Sequence, residues 1–175
     1  ASSFDDELRT TLGLPEIKYR PAALALMCGL YDLQQLLSGP RLFGVIPETA
    51  SMILGFKVKN DMSNLGDYEY INFISPVHLV NGNWCPTFMT WAEEDLICAG
   101  QGPTMAKALE DNGVRHDVFS VKGLIRNHCY HLMLNLPSAK ECMNRCIHFL
   151  NTVLDHEDAE EKPITENKEE KTEEK

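Results

Sequence analysis

The stretch CPTFMTWAEEDLICAGQGPTMAKALEDNGVRHDVFSV, residues 85–121, reads as a strand, a helix and a second strand. CPTFMTWA has no charged face, as expected of a strand covered on both sides. EEDLICAGQGP is the turn leaving it, TMAKALEDNG a helix stopped by Gly113, and RHDVFSV the next strand. Two strands joined by a helix run parallel, because the crossover returns the chain to the same end of the sheet.

Working outward, RPAALALMCGLYDL (residues 20–33) holds an unbroken apolar run from Ala22 to Cys28, closed by Gly29, and predicts another fully buried strand. Before it, FDDELRTTLGL predicts a helix with Phe4, Leu8 and Thr11 on one face, acidic residues in its first turn, and a stop at Gly13 and Pro15. Residues 38–72 mix Gly, Pro, Asn and Asp with short apolar clusters and predict short helices and loops, a cap or insert. SAKECMNRCIHFLNTVL (138–154) puts Ala139, Cys142, Met143, Cys146, Ile147, Leu150 and Leu154 at helical spacing. The order is helix, strand, insert, strand, helix, strand, helix, which is α/β with parallel strands. Three strands are few for a complete core, so a partial domain over residues 1–154 is expected.

The 175 residues suit one domain, and 43% hydrophobic content is enough for a core. The charge of −10 is uneven: residues 155–175 hold ten acidic and four basic residues and account for −6 of it. That Glu/Lys segment predicts a disordered acidic tail. The acidity and the lack of any Lys/Arg cluster argue against nucleic acid as a partner, and no apolar run is long enough to span a bilayer. Cys28, Cys85, Cys98, Cys129, Cys142 and Cys146 form no CxxC pair, so small buried thiols in a reducing, cytoplasmic setting are expected rather than disulfides or a metal centre.

Parallel strands place function at their carboxyl ends. Two loops there carry ionisable groups: AEEDLIC after the second strand and KGLIRNHCYH after the third. An acid from one beside a histidine from the other can hold the imidazole in one tautomer and leave its second nitrogen to deprotonate a nucleophile.

NFISPVHLVNGNWCPTFMTWAEEDLICAGQGPTMAKALEDNGVRHDVF (72–119) resembles the α/β-hydrolases, especially their esterase, lipase and kynurenine formamidase-like branch. The likeness lies in Ser-Pro, a Pro-led strand, a turn ending in the catalytic Asp, a helix, and Asn-Gly-Val before the last strand. RPAALALMCGLYDL is similar to that family's strand after the nucleophile helix, and IHFL to its closing Ile-x-Phe-Leu. The resemblance implies that Asp95 is the catalytic acid and His128 the base, with His131 as runner-up. His128 is followed at the second position by an aromatic, Tyr130, as in the family's His-x-aromatic; His131 opens the apolar run HLML and is expected to pack beneath the loop. The chain departs from the family pattern at Trp91 and Ala92, where glycine is usual, and at Asn127, which replaces the glycine before the base.

Asp32 is either a displaced acid or a helix cap, and Glu93 and Glu94 are expected in a solvated turn. His128, His131 and Asp95 as a metal trio, and Cys129 with His128 as a dyad, lack supporting pattern. Trp84 and Trp91 are expected in the core. In the α/β-hydrolases the nucleophile is a Ser in Gly-x-Ser-x-Gly, and none of Ser2, Ser3, Ser38, Ser51, Ser63, Ser75, Ser120 and Ser138 has those flanking glycines. ASSFDDELRTTL resembles the helix that the nucleophile caps. The expectation is therefore the carboxyl-terminal half of a serine carboxyl-ester or amide hydrolase without metal or cofactor. It would supply Asp95 and His128 while the Ser lies upstream of residue 1, and would have the missing amino-terminal half and a small ester or amide as partners. The alternative is a non-catalytic binding or scaffold protein of the same fold.

Overall fold

A computed structural model describes residues 6–11, 13, 15, 20–38, 45–61, 63–64, 71–123 and 128–160. Its elements in chain order are α1 (Asp6–Thr11), β1 (Leu24–Met27), α2 (Leu33–Ser38), α3 (Val45–Leu54), β2 (Thr87–Ala92), α4 (Gln101–Asp111), β3 (His116–Val121) and α5 (Pro137–Glu160). Short 3₁₀ turns cover Pro76–Leu79 and Tyr130–Leu132.

The three strands form one parallel sheet in the order β1-β2-β3, with Leu24 opposite Thr87 and Thr87 opposite His116. β2 is central, and its successive side chains point to opposite faces. Phe88 and Ala92 pack with Cys142, Cys146, Phe149 and Val153 of α5, while Met89 packs with Met105 and Leu109 of α4. α4 and α5 therefore cover opposite sides of the sheet, and this explains why TFMTWA carries no charge. A third cluster, away from the sheet, joins Leu33 and Leu36 of α2 to Ala50 and Leu54 of α3 and to Val58.

The helix ends follow from the sequence. At the end of α4, Gly113 takes a left-handed φ of 67°. Its N–H reaches Glu110 O at 3.0 Å and the Val114 N–H reaches Leu109 O at 2.9 Å, a Schellman closure with Leu109 and Val114 in one cluster. At the other end, Gly102 lies flat against Trp91: a Cβ there would meet the indole at 2.3 Å. Gln101, fully buried, accepts the N–H groups of Tyr31 (2.8 Å) and Asp32 (2.7 Å) and donates to Asp32 O (3.0 Å), fastening the exit of β1 to the start of α4.

Some expectations need revision. The buried stripe of α5 is narrower than predicted: Ala139, Cys142, Cys146, Phe149 and Val153 are buried, whereas Ile147 and Leu154 are exposed. The 3-4-3-4 spacing of the buried set follows a single seam over the flat sheet, and residues one step around the helix miss it. α5 also continues to Glu160, past the boundary expected at residue 155; residues 161–175 lie outside the described residues. The segment 38–72 holds a ten-residue helix, α3, and its positions 39–44, 62 and 65–70, like Phe4 and Asn127, lie outside the description. No helix among the described residues is long and apolar enough to cross a membrane.

Candidate active site

Asp95 stands three residues beyond β2, in a turn fixed by its own carboxylate. Oδ1 accepts the backbone N–H groups of Ile97 at 2.8 Å and Cys98 at 2.9 Å, and the Asp95 N–H bonds Ala92 O at 3.2 Å. The second oxygen, Oδ2, receives Nδ1 of His128 at 2.9 Å. One carboxylate thus shapes its loop with one oxygen and holds the histidine with the other. The Asp95 side chain is 1% exposed and that of His128 27%, so the acid is shielded while the imidazole reaches solvent. An ionised Asp95 requires the proton on Nδ1, and chemistry toward a substrate falls to Nε2.

The histidine loop is anchored from below. Cys129 adopts a left-handed φ of 58°, turning the chain so that Tyr130 drops into the core with no exposed surface. The Tyr130 hydroxyl lies 2.6 Å from Thr90 Oγ1. Because Thr90 donates its own proton to Phe119 O at 2.7 Å, Tyr130 must be the donor. The chain runs from the His128 loop through β2 to β3, and burial raises the Tyr130 phenol well above its ordinary range.

His131 is buried beside this anchor, edge-on to Tyr130 at 6.1 Å, and its Nδ1 is 3.8 Å from Cys28 Sγ. Burial pushes the Cys28 thiol up to about 11. Burial, and next the neighbouring His128, lower His131 below the usual imidazole value. Cys28 also takes a positive φ of 51° and receives the backbone N–H of Cys129, joining the exit of β1 to the histidine loop.

The structure therefore brings Asp95 and His128 together and puts His131 under the loop. Asp32 is the N-cap of α2, its Oδ1 accepting Gln35 N–H at 2.9 Å. Glu94 does more than face solvent: its Oε2 accepts Gly123 N–H at 2.7 Å and ties the two loops together. Trp84 donates to Thr87 Oγ1 at 3.1 Å. Trp91 packs on Gly102, its buried Nε1 without a partner. All six cysteines are free thiols. Cys98 and Gln101 carried no sequence signal of their importance here. Cys98 is buried beside Asp95, and burial followed by that carboxylate's charge pushes its thiol up to about 12. One group of potential metal ligands comes together among the described residues, and its third member is Cys98 rather than His131: Asp95, Cys98 and His128, with ligand atoms all within 4.8 Å of one another.

No protein-family model and no curated protein sequence matches the chain. Solved structures do. An esterase B from Lactobacillus rhamnosis superposes with a TM-score of 0.66 at 17% identity, covering 91% of this chain and 50% of that one. An acetyl ester-xyloside bifunctional hydrolase from Caldicellulosiruptor lactoaceticus gives 0.55 at 17% identity, covering 77% and 43%. A thermophilic esterase from Thermogutta terrifontis gives 0.52 at 15%, covering 79% and 47%. The parallel sheet with helices on both faces, and acid and histidine at neighbouring strand exits, is the α/β-hydrolase fold, of which this chain spans about half the length of these esterases.

Proposed function

We propose that this chain is the carboxyl-terminal half of a serine carboxyl-ester or amide hydrolase and supplies two of its catalytic groups. The observation that carries the reading is the 2.9 Å bond between Asp95 Oδ2 and His128 Nδ1, made by a shielded acid and a solvent-reaching imidazole. In the complete enzyme a Ser from the other half attacks the carbonyl carbon while His128 Nε2 takes its proton. Nε2 then returns the proton to the departing alcohol or amine, and Asp95 holds the ring and balances the imidazolium charge. Backbone N–H groups of the other half stabilise the oxyanion. The sheet supports a missing partner: among the described residues β1 pairs only with β2, so its far edge offers a row of backbone donors and acceptors to a further parallel strand.

The absence of Gly-x-Ser-x-Gly from these 175 residues also suits a non-catalytic protein of this fold. The coding sequence immediately before Ala1 separates the two. Expressed with that upstream segment, the protein is expected to hydrolyse p-nitrophenyl acetate and to lose that activity in the His128→Gln variant but not in His131→Gln. Residues 1–175 alone are expected to stay at background. An upstream segment with the serine of the elbow replaced, or activity indifferent to His128→Gln, defeats the enzymatic reading.

A further inference from the structure

We infer that Asp95, Cys98 and His128 form a binding site for a thiophilic divalent cation of the Zn²⁺ type. Three side chains from two loops converge with one oxygen, one sulfur and one nitrogen donor within 4.8 Å of each other. In a closed tetrahedral site, metal bonds of about 2.0–2.3 Å set the donors roughly 3.3–3.7 Å apart; Asp95 Oδ2 and His128 Nδ1 stand at 2.9 Å and all three donors lie within 4.8 Å, so closure would open the first pair slightly and bring Cys98 Sγ closer. The mixed donor set decides the class of ion: Mg²⁺ and Ca²⁺ take oxygen ligands, whereas sulfur with imidazole selects zinc-like cations.

Three further features fit this occupant. Asp95 and Cys98 lie in one turn that is already ordered, because Asp95 Oδ1 accepts the Ile97 and Cys98 backbone N–H groups, and such outer bonds orient a ligand before the metal arrives. Asp95 and Cys98 are buried while His128 is only partly so, which leaves the solvent side for a water in the fourth position. The charges also cancel: binding displaces the Cys98 thiol proton to solvent, and thiolate plus carboxylate then neutralise the dication. One proton is released per metal ion.

Occupancy excludes general-base chemistry at His128. If the metal takes Nδ1, the imidazole proton moves to Nε2; if it takes Nε2, that lone pair is no longer available. Either way the cation is an inhibitor of the proposed hydrolase, though binding itself does not depend on that reading.

The test titrates Co²⁺, as a spectroscopic probe, into purified metal-free residues 1–175. One equivalent is expected to produce a thiolate-to-cobalt charge-transfer band and visible bands of low coordination number, both erased by Zn²⁺. Cys98→Ser and His128→Gln are expected to weaken binding at least about tenfold, with Cys85→Ser and Cys146→Ser unchanged. The unaltered chain loaded with ¹¹³Cd²⁺ should also show one cadmium resonance at the downfield shift of a site with a single thiolate ligand; this measurement stands even where a variant fails to fold. Absence of the charge-transfer band at millimolar Co²⁺, its survival in Cys98→Ser, its loss in both Cys85→Ser and Cys146→Ser, or a cadmium shift without thiolate ligation overturns the assignment. None of these readouts uses hydrolysis, so the site and the hydrolase reading fail separately.

Discussion

Replacing Asp95 by Asn isolates the charge and proton preference of the acid while keeping its shape. The variant retains an Oδ1 for the Ile97 and Cys98 N–H groups, now at 2.8 and 2.9 Å, but turns an NH₂ donor toward His128 Nδ1. Two hydrogen bonds to a buried carboxylate become bonds to a neutral amide, at about half the strength of the charge-assisted kind. With about 1.5–3 kcal/mol for each bond to a charged group, the net loss is roughly 1.5–3 kcal/mol, or a fall in Tm of about 3–12 °C at this size. Asp95→Ala, which orphans both buried N–H groups, should cost more, about 1–3 kcal/mol for each. The tautomer gives the sharper readout. In the neutral imidazole, the Asp95→Asn variant forces Nδ1 of His128 to accept and moves the proton to Nε2. Nitrogen-15 shifts of His128 are expected to exchange their amine-like and imine-like positions between the two proteins, and kcat of the complete enzyme to fall about 10⁴-fold. Unchanged nitrogen shifts would show that Asp95 does not set the proton on His128, and the catalytic argument would lose its basis.

Gly102→Ala places a Cβ within the Trp91 ring's van der Waals shell, at 2.3 Å, and should destabilise by about 1–3 kcal/mol in chemical denaturation; a stability equal to the unaltered chain means α4 does not press on β2 as described. Tyr130→Phe removes the donor to Thr90 while Thr90 keeps Phe119 O, for a loss of about 1 kcal/mol. Its fluorinated-histidine spectrum should show a less uniform His128 environment, and a single sharp resonance there would count against the anchor. For His131, burial lowers the folded pKa below the unfolded value of about 6.5. The unfolded chain then binds more protons just below that pH, so this contribution to stability is complete above about 6.5 and is lost as the pH falls toward the depressed folded value. His131→Asn is expected to flatten the dependence of Tm on pH between 7.5 and 5, and parallel curves for the two proteins would refute it.

The elements that sequence reading places correctly are those with a local cause. Gly113 ends α4 because only an unhindered residue takes its left-handed φ cheaply. TFMTWA is a central strand because both faces are covered, and burial on both sides removes polar alternation. The α5 stripe is misjudged at Ile147 and Leu154 for a related reason: helical periodicity marks a face, but the width of the surface beneath it is a tertiary fact. Asp95 and His128 are legible because strand exits converge whatever the intervening residues. Cys98 and Gln101 are not, since a thiol three residues past an acid, or an amide opening a helix, reads as unremarkable until the turn around Asp95 Oδ1 and the reach of Gln101 to Tyr31 and Asp32 are seen.

The arrangement also explains how Asp95 and His128 are held in register by the three strands of the described residues. Most of the bonds that fix the two side chains lie on β2, β3 and their loops. Asp95 is fixed by its own turn beyond β2, and His128 by Tyr130 through Thr90 and Phe119 on β2 and β3, with Glu94 binding Gly123 across the two loops. The longer strand pairing lies between β2 and β3, from Thr87 opposite His116 to Ala92 opposite Val121, whereas β1 contributes four residues to its pairing with β2. The exit of β1 reaches the histidine loop through Cys28, whose sulfur meets Cys129 and His131, and Met27 packs against the cluster that holds Tyr130. On the proposed reading, Asp95 and His128 already stand together in these residues, and a completing partner would bring the nucleophile and the oxyanion donors.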